Sequence, residues 1–167
     1  YVVDEILPEL NRGNEKGCLD AEILENLISN GNVKCVSLND ECWEHFGLLV
    51  SGSAITSLDD GEAATLAYCA VHKNVPIIDE KKANKVCAGL YKELKPISSV
   101  ALFKLASQHQ NMNHPILSKA IYNALTNGRM FVMHQHLEWV VNAIGSDKAT
   151  SCNSLSKRSK RLIAAAT

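Results

Sequence analysis

The sequence lacks a charge excess of either sign: 17 Lys and Arg stand against 18 Asp and Glu, a formal net charge of −1 at pH 7. That balance excludes the broad basic field of a non-specific nucleic-acid binder and the acidic surplus of a disordered chain, so any nucleic-acid role must rest on a local site. No apolar run approaches the roughly 18 residues that span a bilayer, and no charged-then-apolar leader opens the chain. A cytoplasmic protein without a membrane partner is the expectation. No Cys-x-x-Cys pair occurs among Cys18, Cys35, Cys42, Cys69, Cys87 and Cys152, several of which sit inside apolar runs. Buried free thiols account for that setting better than a disulfide framework. No repeat, heptad run or low-complexity linker divides the chain, and its length and apolar share suit one compact domain.

What is present alternates helical and strand-like stretches. "YVVDEILPEL" reads as a strand end running into a short helix, with Asp4 near its start and Pro8 in an early turn. After the turn-rich "NRGNEKGCLD", "AEILENLISNGN" places Ile23, Leu24, Leu27 and Ile28 on one helical face before an Asn-Gly stop. "VKCVSL" alternates as a short strand, and residues 40–56 stay ambiguous, with Trp43, Phe46, Leu48 and Leu49 as core contacts. Residues 62–73 form a helix capped by Asp59 or Asp60, "VPII" a β-branched strand, and "KKANKVCAGLYKEL" a second helix. Three further helical stretches follow, broken at His114-Pro115 and Asn127-Gly128; Ile116, Ile121, Leu125, Leu137, Val140, Val141 and Ile144 line the last two as core or subunit contact. Residues 1–148 are then the domain and 149–167 a basic tail. The predicted fold class is α/β, a sandwich with a parallel sheet flanked by helices.

"SLDDGEAATLAYCAVHKNVPIIDEKKANK" carries acids at both ends of an apolar helix-then-strand unit. A helix over 62–73 is about 18 Å long and a strand of four or five residues about 15 Å, so the two nearly match. A helix packed on a sheet and joined to the next strand by "KN" runs antiparallel to it, which puts Glu62 and Asp79 at one edge, the carboxyl end of a parallel strand. Clustered carboxylates call for a counter-charge, and hard oxygen ligands suit magnesium or manganese better than zinc. The competing account stays open: acids in a first helical turn also cap helices, and an Asp after a strand also forms turns.

At these residues the chain resembles the PIN-domain nucleases, in particular small prokaryotic PIN-like proteins related to VapC-type toxins. The matching residues are Gly61, Glu62, Ala63, Leu66 and Ala67, then Ile77, Ile78, Asp79, Glu80 and Ala83. "VVDEILPEL" is similar to the segment carrying the family's second acid, placing that acid at Glu9, and "PISSVALFKLASQ" to the segment that usually carries Gly-Thr, here Ser98-Ser99; together the pieces span residues 2–145. The resemblance implies a PIN-like three-layer α/β sandwich with a central parallel sheet. It also implies a metal-dependent ribonuclease with Mg2+ or Mn2+ as cofactor, possible membership of a toxin–antitoxin pair with an antitoxin protein as partner, and a homodimer. Carried over, Glu9, Glu62 and Asp79 are the catalytic metal ligands, Asp60 and Glu80 secondary candidates, and Ser99 a residue positioning a water or phosphate oxygen. The chain departs from the pattern in one respect: the strand ending in the family's first Asp is not found before "VVDEIL". Either the native beginning lies upstream of Tyr1, which is the favoured reading, or a principal ligand is missing and the protein is a non-catalytic module that binds nucleic acid or protein.

Other motifs carry less. His134-x-His136 faces two directions on a helix, and Cys42-x-x-His45 lacks a second pair for zinc. Lys81, Lys82 and Lys85 can meet phosphates by charge alone or form a solvated helix face.

Overall fold

The computed structural model describes residues 1–14, 19–53, 56–109 and 113–166. The chain divides into two compact units, Tyr1–Pro76 with Lys81–Pro96, and Ile77–Glu80 with Ile97–Thr167.

In the first unit, strand β1 (Val2–Val3) pairs in parallel with β2 (Cys35–Val36), in the register Val2↔Cys35 and Val3↔Val36. Between them lie a 3-10 turn at Asp4–Ile6 and helices α1 (Leu7–Asn14) and α2 (Asp20–Ser29); after them come α3 (Asp40–Val50), α4 (Asp60–His72) and α5 (Lys81–Leu90). Asn39 starts α3 by accepting the Cys42 amide at 2.9 Å. α2 is followed, after Asn30, by Gly31, whose φ of 71° is open to glycine without strain. α4 is lined with small residues, and Ala64 packs with Val3, Leu38 and Cys42 in one buried cluster. Leu49 and Leu66 are also fully buried.

α4 closes on Lys73, which takes the left-handed conformation (φ 54°, ψ 36°) that a helix end normally reserves for glycine, and donates its amide to the Cys69 carbonyl. A non-glycine residue there carries strain. Lys73→Gly is therefore expected to raise stability by ~1 kcal/mol in a chemical denaturation series, the gain being reduced where the ammonium favours the helix C-terminus.

The second unit is helical: α6 (Ser99–Ser107), α7 (His114–Thr126), α8 (Leu137–Ile144), α9 (Ser146–Ser151) and α10 (Lys157–Ala166), with a 3-10 turn at His134–His136. Ser98 caps α6 by accepting the Ala101 amide, and Pro115 sits in the first turn of α7, where its missing N–H costs nothing. The core gathers Val100, Ile121, Leu125, Val140 and Ile144. Residues 149–167 contribute Ala149, Cys152, Leu155 and Ile163 to it.

The PIN-like three-layer α/β sandwich with a central parallel sheet is not what forms. Helices occupy 65% of the structure and strands 4%, and the sheet among the described residues has two strands of two residues each. "VPII" makes one parallel bridge, Ile77↔Ile97, in place of a strand. Pro76 has no N–H to give a ladder, and Val75 and Ile77 are 59% and 46% exposed, so the segment lacks both the bonds and the burial of a central strand. Trp43 and Leu48, expected in the core, are exposed, as are Ile23, Leu27 and Ile116; Leu24, Leu49, Ile121 and Leu125 are buried as expected.

The described cysteines are free thiols, with Cys42, Cys69, Cys87 and Cys152 buried and Cys35 exposed. Cys18 lies outside the described residues. Burial, with Cys87 beside it, pushes the Cys69 thiol up to about 11, which makes it a poor nucleophile. Among the described residues, no helix is long and apolar enough to cross a membrane.

Candidate functional site

The acids of the first unit are positioned by how α4 lies on the sheet. Near its start Gly61 meets Ile6, in the turn that follows β1, while the Tyr68 ring further along lies tilted at 6.2 Å from that of Tyr1, before β1. α4 therefore runs antiparallel to β1, and its N-terminus sits at the carboxyl end of the parallel pair. That edge is where α/β sheets present their ligand groups.

Gly61 makes the approach to Ile6 close. A β-carbon there would stand 3.1 Å from Ile6 Cγ2 and 3.8 Å from the Glu9 Oε2 oxygen. Glu9, exposed on α1, is thus held beside the first turn of α4, which carries Asp60 and Glu62. The partial positive charge of a helix start stabilises carboxylates in that position. Glu9, Asp60 and Glu62 come to one end of this unit.

Two acids absent from the expected set occupy the same edge. The parallel register places Asp4, one residue past Val3, opposite Ser37, one past Val36, and the Ser37 hydroxyl donates to Asp4 Oδ2. Beside it Glu5 keeps one buried carboxyl oxygen without a hydrogen-bond partner. Burial, and then the neighbouring Asp4, push the Glu5 carboxyl above its ordinary value, while its backbone amide opposes them. An acid straight after a β-branched pair was the available signal, the same one that singles out Asp79.

A raised carboxyl pKa means the fold favours the protonated acid, so stability falls as pH rises from the ordinary value of 4.5 through the raised one. Glu5→Gln is expected to raise the melting temperature at pH 7 and to leave it unchanged well below pH 4.5. Melts at the two pH values check this.

In the second unit Asp79 follows the Ile77↔Ile97 bridge, which the Ile78 amide extends by donating to the Ile97 carbonyl at 2.9 Å. Asp79 Oδ1 accepts the Ser99 amide at 2.8 Å, so this carboxylate holds the first turn of α6. Asp79 and Ser99 line a cavity of about 540 Å³ whose other walls are apolar, among them Leu102, Phe103 and Met130. The Asp79 field also reaches His136, whose pKa burial and then Lys104 lower, with Asp79 acting in the opposite sense. Lys104 Nζ stands 3.1 Å from His136 Nδ1 and 5.6 Å above the Trp139 ring, an arrangement that keeps the imidazole neutral and Nδ1 an acceptor. Glu80 is exposed beside Asp79.

Glu9, Asp60 and Glu62 thus belong to the first unit, and Asp79, Glu80 and Ser99 to the second. Among the described residues no group of three or more His, Cys, Asp or Glu side chains is gathered so as to hold a metal ion. The pairs set aside on sequence part company too: Cys42 Sγ lies 3.9 Å from His72 Nε2, whereas His45 Nδ1 pairs with the Tyr91 hydroxyl at 3.1 Å. Compared with protein-family models, with curated proteins and with solved structures, the chain matches none.

Proposed function

We propose that this chain is a relative of the PIN nucleases that hydrolyses RNA phosphodiester bonds with a divalent cation, Mg2+ or Mn2+. The observation that supports it best is the meeting of Glu9 with the acidic first turn of α4, at the carboxyl edge of a parallel strand pair. The donors fit such an ion chemically: magnesium keeps several waters and takes one or two protein carboxylates together with substrate phosphates, so a full protein cage is not required. Glu9 and Glu62 are the residues to hold it, with Asp60 beside them. A bound ion of this kind lowers the pKa of its water and stabilises charge at phosphorus. Asp79 enters through the family resemblance, with Ser99 held against it. A toxin's place in a toxin–antitoxin pair, an antitoxin partner and a homodimer belong to the same proposal and rest on that resemblance; a cytoplasmic location joins it on the free-thiol setting of the cysteines.

The test is RNA cleavage by the purified chain with manganese. Cleavage that chelator stops and that Glu62→Gln removes supports the reading; metal-supported cleavage that survives Glu62→Gln refutes the site.

A second reading, a non-catalytic module that binds RNA or a protein partner, is favoured by two observations: Asp79 spends one oxygen on the Ser99 amide, and no three-ligand group forms among the described residues. RNA retention without cleavage, unaffected by chelator, would select it.

A further inference from the structure

Away from the acidic edge, the first unit carries a cavity of about 750 Å³ that the nuclease reading does not use. Its rim holds three lysines, Lys73, Lys92 and Lys95, against the single acid Glu93. In a chain of net charge −1 that is a local concentration of positive charge, not a share of a general excess. The apolar wall includes Val75 and Leu94, and an aromatic pair completes it: His45 and Tyr91 meet edge to face at 5.5 Å and are tied by the 3.1 Å hydrogen bond. The tie fixes the Tyr91 ring, so that its presentation to the cavity costs little ordering on binding.

Two local features hold the lysines at this rim. Lys95 Nζ donates to the Lys92 carbonyl at 3.2 Å, which draws the end of one lysine over the turn carrying the other. Lys73 comes from a separate element, the end of α4, where the strained left-handed backbone would be relieved by glycine. A strained residue kept at a cavity rim is a reason to ask what its side chain does there. The volume lies within the roughly 300–1,000 Å³ of small-molecule sites. Ammonium groups lining the same cavity as a fixed aromatic ring and apolar side chains match a nucleotide, whose phosphate is anionic and whose base has a flat apolar face.

We propose that this cavity binds a nucleotide, with the phosphate at Lys73, Lys92 and Lys95 and the base against Tyr91. The shared chemistry is a phosphate one sugar away from a base, whether in free nucleotide or in single-stranded RNA. The proposal does not depend on cleavage.

The test is calorimetry of the full chain in chelator, which silences any metal-dependent cleavage, with AMP, ATP and a single-stranded RNA decamer as probes. At least one probe is expected to bind, with affinity falling as salt rises. Lys92→Gln/Lys95→Gln is expected to weaken binding by tenfold or more, taking about tenfold for each charge-assisted hydrogen bond to phosphate that the variant can no longer make. Lys73→Gly is expected to weaken it as well while the protein becomes no less stable, which separates ligand binding from misfolding. A charge control, Lys119→Gln/Lys157→Gln, should leave affinity within about twofold. RNA displaced by ATP assigns the cavity to a nucleotide of RNA; ATP or AMP bound without RNA assigns it to free nucleotide. No binding of any probe at millimolar concentration, an unaltered affinity in the Lys92/Lys95 variant, or an equal loss in the control overturns the proposal.

Discussion

Asp79→Asn is expected to reduce manganese-supported RNA cleavage by ~100-fold or more and to leave the melting temperature nearly unchanged. The two halves of that expectation come from different atoms. Asp79 Oδ1 accepts the Ser99 amide at the start of α6, a bond that an asparagine carbonyl oxygen can also accept. The negative charge, which asparagine lacks, is what the family resemblance assigns to a hard cation. Asp79→Ala separates the roles further: it removes the acceptor and should destabilise the protein by about 1–2 kcal/mol, the usual cost of a lost helix cap. If Asp79→Asn instead lowers stability as much as Asp79→Ala while cleavage persists, Asp79 is a structural cap and nothing more. Activity assays and melts on the same two preparations decide it.

Ile121→Ala is expected to destabilise the protein by about 2–5 kcal/mol, the range for truncating a large aliphatic side chain in a packed core. Ile121 is 0% exposed and lies in the cluster that Leu125, Val140 and Ile144 complete. The loss combines the transfer energy of the missing carbons with the unfilled space, because neighbours on α7 and α8 are held by their own helices. Ile116, five residues earlier on α7 and 63% exposed, makes the contrast. Ile116→Ala should change monomer stability by less than about 0.5 kcal/mol. If the chain dimerises through Ile116, the same substitution should weaken the dimer in sedimentation equilibrium at unaltered monomer stability.

Helices were the legible part of the fold, because their signals are local. The acidic cap and small-residue run placed a helix over 62–73, and it forms over Asp60–His72. The strand that α4 runs against is β1, at the start of this unit, whereas the expected partner was "VPII", which forms no strand. Which strands pair is a non-local choice, and a β-branched composition does not make it. Pro76 was the warning in that segment. In α3 the inward face follows Cys42, Phe46 and Leu49 at helical spacing, which turns Trp43 and Leu48 outward; size and apolarity alone had put all of them inside. Glu9 was named from the family pattern, and it lies beside Gly61 at the start of α4. The lysine rim could not be read in sequence, since Lys73 and the Lys92–Lys95 turn meet only through the packing of the first unit.

The proposed reaction requires that the acids at the start of α4 bind a divalent cation. Manganese titration of the full chain, followed by calorimetry and by loss of the free-ion paramagnetic resonance signal, tests it most directly. The account predicts saturable uptake that Glu9→Gln and Glu62→Gln each weaken. No uptake at millimolar manganese, or uptake equal in all three proteins, would contradict it.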